Sequence, residues 1–556
     1  MLDRAGHWGI LPAYHGWQGD LVETPPATRD AILAAMGATS DRPPRIRRPK
    51  LPNEPCAPPP ERSWGWAIQL YALRSQQSWG IGDLADLRRL GRWSRSRGAS
   101  IMLLNPLGAQ TPTIPYQPSP YYASSRRFRN VLYLRIEEIE GAEQCEAALQ
   151  PVRAAAQALN QQRLIDYDKV FELKTKALEL IFDAAPEPQG LTAFVRRHGA
   201  PLRDFATFNA ITEERGPAWR SWPGYLRRAG TDAIEPSRRR LAGRIAFHEW
   251  QQFHIDRQLA RAAREIGIVT DVPIGFASDS FDAWRWQDLL APDMRVGAPP
   301  DEFFRDGQDW GCPAFNPWKL SDARWEPFVE AIRSAAAHSA GVRLDHVMGL
   351  FRLFWIPDGM TAAQGAYVRY PATTLLALLA NESRRANAFV VGEDLGLVPP
   401  TVRKHLRRRG SLSYRLLWFE SSEPMSWPRD AVAAVGTHDL PTVAGIWTRR
   451  EPEHRLHHLR DKLVSMTGLP DETAPVDVAV AAYTALARGR PRIVLASLED
   501  ALGVVERPNV PGTTTEFPNW RLALPSSLEE IEGADGVNRI ADAMNAAGRS
   551  ANLSHA

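Results

Sequence analysis

Cysteine is almost missing. Cys56, Cys145 and Cys312 are the whole complement in 556 residues, far apart and without C-x-x-C spacing. That spacing excludes a disulfide framework and a zinc site, and it fits a reducing cytoplasm. A dominant charge is missing too: 67 basic against 64 acidic side chains give a net charge of only +3. No nucleic-acid or anionic-membrane partner is called for, although a pI near 8.7 leaves a weak basic bias. No run reaches the roughly 18 apolar residues of a spanning helix. The opening Met1-Leu-Asp-Arg-Ala-Gly-His-Trp lacks the continuous apolar core of a secretory signal. Clustered metal ligands and phosphate-binding loops are likewise absent, so neither a metal nor a cofactor is expected.

What is present is an ordinary globular composition, 44% apolar and 24% charged. Nineteen tryptophans are more than such a chain needs. Their rings could stack on sugar faces or simply fill a large core, and composition does not choose between the two.

Along the chain, Thr28–Met36 reads as a short helix closed by Gly37. Residues 43–62 are rich in Pro and Arg and read as an extended linker. Beyond residue 63 short apolar runs alternate with helical stretches. Candidate strands are 64–72, 99–106, 267–275, 341–346, 388–394, 412–419, 431–439 and 492–499. Near-continuous apolar strands separated by helices indicate a parallel sheet buried on both faces, and eight such units predict a closed (β/α)8 TIM barrel. The barrel is expected over 63–530, with a mostly helical insertion at about 126–262. A short helical segment (1–42) would precede the linker, and a tail (531–556) would follow the barrel, without a β-sandwich domain.

Three candidate strands end in carboxylates: Asp345, Glu393 and Asp439. A closed barrel gathers the C-terminal ends of its strands at one site, so these distant residues become neighbours. Glycosidic chemistry needs two carboxyls of unlike environment, one to attack the anomeric carbon and one to carry a proton to the leaving oxygen. A third can hold sugar hydroxyls. Arg343 shares a face with Asp345 by period-2 alternation and would keep it ionised and oriented. His346 and His438 flank two of the acids and could donate to hydroxyls. A single buried carboxylate at a strand end is more often an ion pair or a helix cap, so the argument rests on the three together.

At these residues the chain resembles the amylomaltases, glycoside hydrolase family seventy-seven. The likeness lies in Val342–Pro357, Gly392-Glu-Asp-Leu-Gly396 and Gly436-Thr-His-Asp-Leu-Pro-Thr442. It continues in Asp271–Gly275 with Asp279-Ser280, in Val296–Asp301 running to Gly307–Gly311, and in Ser119-Pro-Tyr121. It ends with Asn509–Thr513 and Pro518-Asn-Trp520, so the segments follow in order between about 64 and 525. The resemblance implies a 4-α-glucanotransferase in which Asp345 is the nucleophile, Glu393 the acid/base and Asp439 the transition-state stabiliser. It implies sugar contacts from Arg343, His346, His438, Tyr121, Asp301, Gln308 and Trp310, with 297–311 as a loop covering the cleft. Maltooligosaccharides and α-1,4-glucans would be donors, and glucose or maltose acceptors. Cys312 stands where the family pattern has Asn. A hydrolase with the same acids and a non-catalytic glucan-binding barrel are the alternatives; acceptor choice separates the first, and the intact carboxylate set argues against the second.

Overall fold

The computed structural model describes residues 3–550 except 303, 397, 451–455 and 457. Eight parallel strands close into a barrel in chain order. They are β1 (Ser63–Ile68), β2 (Ile101–Leu104), β3 (Gly267–Val272) and β4 (Gly341–Leu344), then β5 (Phe389–Gly392), β6 (Leu412–Leu416), β7 (Ala431–Ala434) and β8 (Ile493–Ser497). All eight candidate strands are present, each shorter than its apolar run.

The barrel interior is filled from alternate positions. Ile101, Val269, Phe389, Val391, Leu412, Tyr414, Val432, Ala434, Ile493 and Leu495 form one buried cluster. Two strands carry glycine where this filling leaves no room. A Cβ on Gly341 would stand 2.7 Å from the Phe389 ring, and one on Gly65 would overlap the Ile101 carbonyl at 1.9 Å. The same inward parity continues upward into polar residues. Above Val269 comes Asp271; above Gly341 come Arg343 and Asp345; above Val391 comes Glu393; above Leu495 comes Ser497. One period-2 pattern therefore packs the core and delivers the site.

Outside the barrel, the sequence reading needs several changes. Residues 126–262 are rich in helices: Glu146–Ala158, Tyr167–Ala184, Leu191–Arg215 and Ala242–Ala262. The last of these packs on the first outer helix, Leu84–Ser96, and serves as the barrel's own second helix. Residues 297–311 are not an open loop. They are the turn region of an antiparallel hairpin, Leu290–Ala298 with Gln308–Phe315, in a four-stranded sheet completed by Arg352–Pro357 and Ala366–Arg369. The amino-terminal segment holds two short strands besides its helices Arg4–His7 and Pro26–Ala35, and Ile10 bridges to Val368 on that sheet's edge. Helix Asp535–Ala546 buries Val537, Ile540, Ala541 and Met544 against helix Pro475–Arg488, so the expected tail is part of the outer helical layer. Arg549, fully buried, donates to the carbonyls of Ala487 (2.7 Å), Gly489 (2.8 Å), Arg492 (3.2 Å) and Ser63 (3.4 Å), sealing the β8–β1 seam. Among the described residues no helix is long and apolar enough to cross a membrane.

Candidate active site

The site is built on Arg343. Its guanidinium donates to Asp271, lies 3.5 Å from Asp345 Oδ1 and 3.2 Å from Glu393 Oε2, and is almost wholly buried. Register explains the grouping: Arg343 pairs with Asp271 on β3 and with Val391 on β5. One cation thus holds three carboxylates from three adjacent strands.

Asp345 and Glu393 are in direct hydrogen-bonding contact. Burial, then the neighbouring charge of Glu393, push the Asp345 carboxyl well above the usual carboxylate range despite Arg343. Burial also acts on Glu393. There it is outweighed by Arg343, by the hydrogen bond from Asp345 and by the His346 N–H, which donates to Glu393 Oε2 at 2.8 Å, so Glu393 lies below its usual range. Two carboxylates in contact oppose each other's ionisation, which pushes the pair apart, Asp345 upward and Glu393 downward. His346 reaches this position with φ of +42°, a conformation disfavoured for a non-glycine residue. Strain of this kind persists only where surrounding contacts enforce it.

Asp439 arrives differently. β7 stops at Ala434, so Asp439 sits in the following loop and not at a strand end as the apolar run implied. The loop is held from outside the strand. Asn509 Nδ2 donates to Asp439 Oδ1 (2.6 Å), Arg507 donates to its carbonyl (3.1 Å), and the Asn509 N–H donates to the His438 carbonyl (3.1 Å). His438 Nε2 lies 3.3 Å from Asp439 Oδ2. Burial raises the Asp439 carboxyl, but His438, Asn509 and Arg343 together bring it below its usual value, so it stays ionised.

Aromatic rings wall this cleft. Tyr121, His438 and Trp520 pack mutually with centroids 5.1–5.2 Å apart. The Tyr121 hydroxyl donates to Asp271 Oδ2 at 2.5 Å, which fixes the ring over the barrel end. Trp310 meets His346 edge-on at 5.1 Å. Below these rings lies an open hollow of about 640 Å³, lined among others by Gln69, Asn105, Asp271, Arg343, Tyr414 and Glu499. Gln69 Oε1 and Asp271 Oδ1 are buried acceptors without a donor among the described residues, which suits them to hydroxyl groups.

The structure brings Arg343, Asp345, His346, Glu393, His438, Asp439, Tyr121 and Trp310 together. It leaves Asp301 and Gln308 on the hairpin. Asp301 Oδ1 accepts the Phe304 N–H within the turn, and Gln308 Oε1 accepts the Trp310 indole N–H, so neither is shown at the carboxylates. Cys312, on the hairpin's second strand, packs so closely on Gly275 that a Cβ there would stand 2.5 Å from its sulfur. Burial pushes its thiol up to about 12. No site role had been read for Asp271, Asn509, Trp520 or Glu499. The first three lie in segments of the family likeness, while Glu499, in the short helix Leu498–Ala501 just past β8, carries no such signal.

The family profile of 4-alpha-glucanotransferases, glycoside hydrolase family 77, matches residues 68–528. The chain belongs to this family. The 4-alpha-glucanotransferase of Mycobacterium tuberculosis is 38% identical over 549 residues, covering 87% of this chain and 75% of the relative. That of Haemophilus influenzae is 32% identical over 86% of this chain and 78% of its own length. The crystal structure of amylomaltase from Corynebacterium glutamicum superposes with a TM-score of 0.84 at 26% identity, covering 97% of this chain and 99% of that one. An amylomaltase from Streptococcus agalactiae, solved in complex with acarbose, shares the fold with a TM-score of 0.75 at 20% identity, covering 88% and 100%.

In this 4-alpha-glucanotransferase, Glu499 supplies a test of how the site costs stability. Burial, then the charge of Asp500, raise its carboxyl to about 7, against partial offsets from a backbone hydrogen bond and, more weakly, from His438. A carboxyl raised in the folded state is penalised progressively between its ordinary value, near 4.5, and about 7, and the penalty is complete above that. Glu499→Gln removes the ionisation. At pH 8 the variant is expected to be more stable than wild type by up to roughly 3 kcal/mol. At pH 4, where both states are protonated, the two should melt alike. Thermal melts of both proteins at the two pH values check this; a pH-independent difference would remove Glu499 as a buried acid.

Proposed function

We propose that this 4-alpha-glucanotransferase moves α-1,4-glucan segments to glucose, maltose or longer acceptors by double displacement through a covalent glycosyl-enzyme. The observation that carries the reading is the Asp345–Glu393 contact on one guanidinium, with Asp439 alongside. Carboxyls this close match the close pair of a retaining enzyme and leave no room for the water of an inverting one, which needs roughly 6.5–9.5 Å.

In the first step an Asp345 oxygen bonds to the anomeric carbon as the glycosidic C–O bond breaks, and Glu393 gives its proton to the departing oxygen. In the second, Glu393 takes the proton from an acceptor hydroxyl, which displaces Asp345 and restores both groups. Asp345 must attack as the carboxylate. Glu393 must carry the proton before the first step, and its direct contact with Asp345 supplies a path by which one proton can move between them. Asp439, kept ionised by His438 and Asn509, supports the developing positive charge. The Tyr121, His438, Trp520 and Trp310 rings limit water at the intermediate and offer faces to an acceptor sugar, which favours transfer over hydrolysis.

Pure maltotriose should give glucose together with maltopentaose and longer chains. Total reducing ends should stay nearly constant, because each transfer breaks one α-1,4 bond and makes another. Chromatography with a parallel reducing-end count tests this. Reducing ends rising in step with maltotriose loss, without longer products, would assign hydrolysis instead.

A further inference from the structure

The ladder between β5 and β6 is the shortest kind the barrel contains: only Val391↔Leu412 and Gly392↔Ser413 are paired, whereas β6 runs on beside β7 to Leu416. β5 ends early because Glu393 leaves it for the cleft, with its backbone turned to the other neighbour. Its N–H donates to the carbonyl of Leu344, the last residue of β4 (3.0 Å), and its carbonyl accepts from Val347 just beyond that strand (3.2 Å). On the β6 side, Gly392↔Ser413 is the last pair, and the next N–H, that of Tyr414, meets a side chain from the β5 exit. Asp394 takes it: Oδ1 accepts the Tyr414 N–H at 2.9 Å. Oδ2 accepts from Arg403 Nε at 3.0 Å and lies 3.5 Å from Arg415, while Arg403 also donates to the Asp394 carbonyl at 3.2 Å. Asp394 is completely buried. Arg415 is anchored in turn by Glu420 at 3.0 Å.

We propose that Asp394 is a positioning residue for Glu393, a side-chain splice that carries the β5–β6 connection past the point where Glu393 leaves the sheet. The inference rests on the reading of Glu393 as acid/base. Period-2 alternation sends Glu393 inward and Asp394 outward, so fixing one aims the other. The chain beyond offers little else: Gly396 has φ of +74° and regular structure resumes only with helix Pro400–Arg408. That helix carries Arg403, so Asp394 clamps the exit from β5 to the next rigid element. A proton donor must stand within hydrogen-bond reach of the leaving oxygen, and a displacement of about 1 Å can cost roughly 100-fold in rate.

The test exploits the leaving group. Maltotriose needs a proton from Glu393 to depart, whereas fluoride leaving an α-maltosyl fluoride does not. Asp394→Ala should lower turnover of maltotriose by about 100-fold with KM changed by less than about threefold. The burst of fluoride release should fall by less than about fivefold, since the nucleophilic step is untouched. Asp394→Asn keeps an oxygen for the Tyr414 N–H and should recover at least about tenfold of the loss. Should the alanine variant fail to fold, Asp394→Asn and Arg403→Ala make the same comparison, because each removes the ion pair and leaves the Tyr414 bond. Equal losses on both donors, or undiminished maltotriose turnover, would overturn the proposal. Glu393→Gln run on the same donors separates the two ideas. If it shows no split between donors, the acid/base reading fails. If it shows the split and the Asp394 and Arg403 variants do not, the splice alone fails.

Discussion

Asp345→Asn is expected to leave a folded protein whose turnover of maltotriose is at least roughly 10⁴-fold lower. The amide keeps the shape of the carboxyl but cannot form the glycosyl ester, so the loss falls on kcat. Stability should not follow activity. Asp345 is a buried acid pushed up by desolvation and by Glu393, a contact that favours chemistry at the expense of the fold. Arg343, which it helps to neutralise, keeps Asp271 and Glu393 as partners. The melting temperature should therefore equal or exceed that of wild type. Thermal melts and a glucose-release assay measure both halves of this expectation. Residual turnover above a tenth of wild type would take Asp345 out of the nucleophile's role, whereas a collapse in melting temperature would show that it is structural.

Much of this site is legible in the sequence because the barrel interior obeys a period of two. Gly341-Val-Arg-Leu-Asp345 alternates inward glycine, arginine and aspartate with outward apolar residues. The same rule lifts Glu393 above Val391. Where the rule ends, so does the reading. Asp439 stands five residues past the last residue of β7, and an apolar Ala-Val-Ala-Ala-Val run does not mark where its ladder stops. Its position depends on Asn509 and Arg507, contacts made across about 70 residues that no local pattern reveals. The hairpin that carries residues 297–311 is hidden in the sequence for a similar reason. Gly297 stands inside its first strand, where a Cβ would collide with the Gln308 carbonyl at 2.0 Å. The closeness of paired strands, and not looseness, demands that glycine. Helix Asp535–Ala546 was missed because its apolar stripe is made of small and medium residues, whose burial against helix Pro475–Arg488 is a tertiary matter.

Asp271 shows a further limit of strand-end reasoning. It looks like one more acid at the end of β3, yet its Oδ2 accepts from both Arg343 and the Tyr121 hydroxyl, which leaves Oδ1 without a donor among the described residues. Its first task is to orient the arginine that serves the dyad and the ring that walls the cleft. A carboxylate already committed to two donors is a poor nucleophile, and this separates Asp271 from Asp345 on chemistry where position alone does not.

Glu393→Gln should discriminate between donors more sharply than any other single change. With maltotriose the departing group is a sugar alkoxide that needs a proton, and turnover should fall by roughly 10³-fold or more. With an α-maltosyl fluoride the leaving group departs unaided, so the first step should continue at close to its wild-type rate. The second step still needs a base to activate an acceptor hydroxyl, and glutamine is not one. Glycosyl-enzyme should therefore accumulate: fluoride is released in a burst of about one equivalent per site and then slows. The geometry favours a well-formed variant. The amide oxygen can still accept the His346 N–H now held at 2.8 Å by Glu393 Oε2. The substitution also removes the charge that raises Asp345, so the nucleophile ionises more readily than in wild type. Mass spectrometry of the quenched burst should find one maltosyl unit on the peptide carrying Asp345, and none when Asp345→Asn is added. Equal loss on both donors with no adduct would mean that Glu393 supports the fold of the β5 end and carries no proton.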